Sequence, residues 1–179
     1  MSTVPKSLSG GILEFCREIS SERPVFVRSK PSADAQQSAC FDNVARKIAR
    51  AGGETAFGWA IWHVPGLYFE AEHHGVWRNR QGNLLDVSPQ LGQVAKLLFL
   101  PDANAVYEPK RFRPNLLKPV DDSALAVEFV ALARQRNAIM DAYRTDEYVV
   151  AMLSGLDQAR LGEIEMSLKQ LWAIAGVRI

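Results

Sequence analysis

The sequence predicts an α+β fold: one helix packed on a small antiparallel sheet, followed by a helical annex. Three observations carry this. Residues 38–53 place apolar side chains on one helical face and end in a double glycine. Residues 57–87 hold three runs rich in aromatic and β-branched residues, parted by turn sequences. From Asp121 onward the apolar spacing is helical again.

Taken in order, residues 11–19 (GILEFCREI) form a short helix with Ile12, Phe15, Cys16 and Ile19 on its apolar stripe. Pro24 stops it, Val25–Val27 reads as a short strand, and 29–37 is a polar loop. Ser38 is the expected cap of the next helix. Phe41, Val44, Ile48 and Ala51 make its buried face, and Gly52-Gly53 ends it. Residues 57–62 (FGWAIW), 67–77 (LYFEAEHHGVW) and 84–87 are strands of an antiparallel meander, with turns at Pro65-Gly66 and 79–82. Pro101, Pro109, Pro114 and Pro119 predict an extended surface connection over 97–120. Helices are expected over 122–143, 146–154 and 158–175, with Gly155 and Gly176 as breaks. The chain is thereby divided into a core, 1–120, and an annex, 121–179.

The chain has 179 residues, an apolar fraction of 47% and a net charge of +1. The apolar content supports a real core. The near-neutral charge argues against nucleic acid or an anionic membrane as the main partner, since both call for concentrated basic surface. A local basic patch remains around Lys110, Arg111 and Arg113. No apolar run is long enough for a membrane span, and the polar opening MSTVPKSLSGG has no signal-like apolar core. A cytoplasmic, reducing setting is the expectation. There, Cys16 and Cys40 are expected as free thiols, although sequence alone leaves a bridge between them open.

Cys40 falls in the first turn of its helix, where free backbone N–H groups and the helix dipole favour a thiolate. A small buried apolar residue is the plainer role for a cysteine, but Cys40 lies beside the buried stripe rather than in it. His73 and His74 are neighbours on a strand and point to opposite faces. If Arg78 pairs with Gly82, His74 lies opposite Asp86 on one face; a shifted register brings His73 there instead. Carboxylate beside imidazole fixes the tautomer and supports the imidazolium. Singly, each of these residues reads as an ordinary surface or turn residue. Their order carries the argument.

A cysteine opening a helix, then a histidine on one strand and an aspartate on the next, resembles the papain-like cysteine hydrolase superfamily. The likeness is to its transglutaminase-like and NlpC/P60-like branches. The stretches that carry it are CFDNVARKIARAGG, EAEHHGVW and GNLLDVSP. The resemblance implies a papain-like core with Cys40, His74 and Asp86 as a catalytic triad. It implies acyl-transfer chemistry, hydrolytic in kind, on a peptide, protein or other amide, with no cofactor. Gln36 and Gln37 are the side-chain candidates for a second oxyanion donor beside the Cys40 N–H. Asn43, one turn after Cys40, reads as a capping or packing residue. Trp59, Trp62 and Trp77 are candidate walls of a substrate groove.

Two readings from other classes stand beside this one. An inactive papain-like binding module would act on a protein partner through residues 121–179. A small metal-binding protein would draw on His63, Glu72, His73, His74, Asp86 and Cys40. No pair among these has the short ligand spacing of a zinc site, so no metal is assigned.

Overall fold

The computed structural model describes residues 2–109, 111–145 and 150–176. It is an α+β fold with a mostly antiparallel sheet and two C-terminal helices packed together.

Helix α1, Gly10–Ile19, starts where Ser9 Oγ accepts from the Ile12 N–H, and it buries Ile12, Phe15 and Cys16. Strand β1 is Val25–Arg28, and helix α2 is Cys40–Ala51. The expected cap at Ser38 is corrected. Ala39 is the cap position, and no side chain closes the helix there. Ser38 has φ +58°, which removes it from the extended backbone that a capping hydroxyl needs. Within α2, Asn43 and Val44 are buried, while Phe41 and Ile48 are half-buried and Ala51 is exposed.

Strands β2, Glu54–Val64, and β3, Tyr68–Arg78, are neighbours in the sheet. Short β4, Leu84–Leu85, pairs antiparallel with β3. The predicted third strand, 84–87, is thus two residues shorter as a ladder. Asp86 instead turns to β1: its N–H donates to Arg28 O, and its carbonyl accepts from the Lys30 N–H. The strand path β1-β5-β2-β3-β4 therefore returns towards its first member.

The extended connection expected over 97–120 is corrected at both ends. Strand β5, Lys96–Pro101, lies between β1 and β2, and β6, Leu116–Pro119, pairs with β3. Leu97, Leu98, Phe99 and Leu100 are all fully buried, so this strand shows a continuous apolar run instead of alternation. Pro101 only ends it, opposite Gly58. A Cβ at Gly58 would meet the Leu100 carbonyl oxygen at 2.1 Å, so the close approach of β2 and β5 depends on that glycine.

Helices α3, Ala124–Ala142, and α4, Gly155–Ile174, follow. The helix expected over 146–154 falls partly on 146–149, outside the described residues, while 150–154 is not helical. Gly155 opens α4 instead of breaking it, because Ser154 caps the helix by accepting from the Asp157 N–H. Gly176, at φ +65°, follows its end.

The chain divides into two compact units. One comprises Met1–Thr3, His63–Glu70 and Glu108–Ile179; the other comprises Val4–Trp62 and Ala71–Tyr107. In the first, Val64, Leu67 and Phe129 form a core with Leu125, Leu168 and Trp172 packed on it. In the second, Val27, Ala56, Ala60, Trp62, Val76, Leu97 and Phe99 form another. Of the expected basic patch, Lys110 lies outside the described residues, and Arg111 and Arg113 both pair with Glu108. No described helix is long and apolar enough to cross a membrane.

Candidate active site

Cys40 is the first residue of α2 and is partly exposed. Its helix meets β3 at Gly75, where an added Cβ would lie 2.9 Å from the Phe41 ring. The missing side chain therefore lets the start of α2 approach the strand that carries the histidines.

His74 and Asp86 meet, but not by the register the sequence suggested. Arg78 pairs with Leu84 and Trp77 with Leu85, so the strand is displaced by two residues from an Arg78–Gly82 pairing. The cause is a longer loop. Asn79 Oδ1 accepts from the N–H groups of both Gln81 and Asn83, and the Asn79 N–H donates to Asn83 O. A two-residue displacement preserves the face of every side chain. Asp86 therefore still shares a face with His74, one pleat removed, and His74 Nε2 lies 3.2 Å from Asp86 Oδ1.

Both residues are buried, His74 at 3% and Asp86 at 0% exposure. Burial alone lowers the imidazole's pKa. The Cys40 thiolate charge, hydrogen bonds with Asp86 and Cys40, and the Asp86 charge outweigh it and hold His74 well above 6.5. His74 Nε2 is turned to Asp86, and the Cys40 side chain is close enough to contribute to the imidazole's raised pKa.

Asp86 is held by donors on both oxygens. Oδ1 also accepts from the Ser88 N–H at 3.1 Å, while Oδ2 accepts from Ser29 Oγ at 3.0 Å and Gln90 Nε2 at 3.1 Å. Ser29, Ser88 and Gln90 are site residues that sequence reasoning missed. Ser88 and Gln90 follow Asp86 closely, but Ser29 reaches it only through the bridge between Ser29 and Asp86. Asp86→Ala orphans these donors and is expected to lower stability by about 2 kcal/mol. Asp86→Asn is expected to cost less than about 1 kcal/mol, because its oxygen can keep the Oδ1 partners while Ser29 and Gln90 reorient. Urea denaturation of the two variants checks this; equal losses would mean that the hydrogen bonds are not what holds the site.

The other predicted residues are placed as follows. His73 faces away from Asp86. Its Nε2 lies 2.7 Å from Ala105 O, and its ring packs on Phe41 and Trp59. Gln36 and Gln37 are exposed, and the Gln36 backbone, not its side chain, is bonded to Asn43. Trp59 and Trp62 are buried with their indole N–H groups on Asp102 and Glu72, which makes them framework instead of groove walls. Trp77 is half-buried, donates to Gly52 O and lies under Lys47. Among the described residues, no three His, Cys, Asp or Glu side chains form a group able to hold a metal ion. Both cysteines are free thiols, so the bridge left open by the sequence is absent from this structure.

The chain shows no significant similarity to any protein-family model, curated protein or solved structure in the comparisons.

Proposed function

We propose that the chain is a cysteine-dependent acyl-transfer enzyme with a papain-like core, acting on a peptide, protein or other amide through Cys40, His74 and Asp86. The observation that carries this reading is the buried His74–Asp86 pair, 3.2 Å apart, with the partly exposed Cys40 near enough to contribute to the imidazole's raised pKa. A solvent-facing histidine or a strand-ending aspartate has no need of such burial.

In the proposed reaction His74 takes the Cys40 proton, and the thiolate attacks the carbonyl carbon. The tetrahedral intermediate collapses as the C–N bond breaks, and the His74 imidazolium gives its proton to the leaving amine. A thioester on Cys40 remains. Water, or an acceptor amine, then attacks it with His74 as base, the C–S bond breaks, and the thiol is restored. Asp86 holds the ring and offsets its charge throughout.

The test is acylation by p-nitrophenyl acetate. The wild-type chain should release p-nitrophenolate in a burst, carry an acetyl group on Cys40 by peptide mass spectrometry, and then turn over. Cys40→Ala should lose the burst. Equal acylation and release by Cys40→Ala would sink the reading and leave the scaffold as a binding module.

A further inference from the structure

We propose that Asn43 is a positioning residue that holds Cys40 in line with His74, acting through Ser88. The inference rests on the triad reading and adds to it the device that keeps the nucleophile helix in place.

Asn43 lies on α2 one turn after Cys40 and is 1% exposed. Its side chain uses every polar position. Nδ2 donates to Gln36 O at 2.7 Å and to Ser88 Oγ at 3.1 Å. Oδ1 accepts from the Gln36 N–H at 2.9 Å and from the Arg46 guanidinium. The amide has one workable orientation, since a flip would set its NH2 against both of these donors. Ser88 is 2% exposed, and its N–H donates to Asp86 Oδ1, the oxygen that His74 Nε2 also meets.

These bonds form one hydrogen-bonded circuit. It runs from His74 to Asp86, to Ser88 and to Asn43, which stands one turn of α2 after Cys40. The two sides of the circuit are the helix that carries the thiol and the segment that carries the carboxylate. A helix lying on a sheet shifts by fractions of an ångström at little cost, and proton transfer from thiol to imidazole is sensitive to such shifts. The Asn43–Ser88 bond removes that freedom. Packing alone does not explain the residue, because an apolar side chain would fill the same buried site without needing four directed bonds.

The test measures the iodoacetamide alkylation rate of Cys40 from pH 5.5 to 9 in wild type, Asn43→Ala, Ser88→Ala, Ser88→Thr, the Asn43→Ala/Ser88→Ala double variant and His74→Ala, with melting temperatures alongside. Ser88→Ala keeps the backbone N–H on Asp86 and removes only the acceptor of Asn43. At pH 6 it should lower the rate about tenfold, with about twofold or less change at pH 9, where ordinary thiols are themselves largely ionised. Ser88→Thr keeps the hydroxyl and should restore the wild-type profile. The double variant should be no slower than the slower single variant, since both break one circuit. If the rate at pH 6 survives both single changes while the melting temperature falls, Asn43 is structural and this inference alone is overturned. If the wild-type profile is unchanged by His74→Ala, the triad itself is overturned, and this inference with it.

Discussion

Brief treatment with iodoacetamide at pH 7.5 is expected to modify Cys40 about 10³-fold faster than Cys16. Cys16 differs from Cys40 in access, and burial also suppresses its ionisation. Cys16 sits on the buried face of α1 with no exposed surface, and burial pushes its thiol up to about 11. At pH 7.5 a thiol titrating there is ionised in only roughly three molecules in ten thousand. Its modification must also await an opening of α1. Cys40 is partly exposed at the first residue of α2, beside the helix's free N–H groups. Peptide mass spectrometry after a short labelling pulse measures the ratio. Comparable labelling of both cysteines would remove the case for a nucleophile at position 40.

His74→Ala is expected to slow alkylation of Cys40 at pH 6 by about 10²-fold, and His73→Ala to leave it within about twofold. At that pH an ordinary thiol is ionised in only about one molecule in three hundred. The raised pKa of His74 sets the pH range in which its imidazolium charge persists. Protonation is complete below the ordinary imidazole range and is lost only as pH rises through the higher folded-state value. The dependence on His74 should therefore be largest at low pH and fade towards pH 9. His73 has no part in this, since its ring is occupied by Ala105 O, Phe41 and Trp59. A loss caused by His73→Ala, with His74→Ala silent, would mean that the other face of β3 serves the thiol.

Local pattern was enough to read several elements. Apolar spacing marked α1, α2 and α3 because a helix that buries one face repeats every three to four residues. The alternation of β3 likewise separated His73 from His74, since neighbouring residues on a strand must face opposite ways. Strand β5 was missed for the complementary reason. Its four central residues are buried on both faces, so no alternation remains, and the prolines that follow it read as an irregular connection. The hairpin register was misjudged because the Asn79 carboxamide organises a longer loop than the turn residues suggested.

The sequence by itself determined which chemical groups are present, their order, and that His73 and His74 stand on opposite faces of their strand, because this follows from the strand period. Tertiary structure decided the rest. It brings Ser29 across to Asp86, sets Asn43 against Ser88, and buries Trp59 and Trp62 as framework. None of this follows from local spacing, since each contact depends on how α2, β1 and the segment after β4 close around one buried carboxylate. Burial of polar groups is costly unless every one is bonded, and only the completed fold supplies the partners.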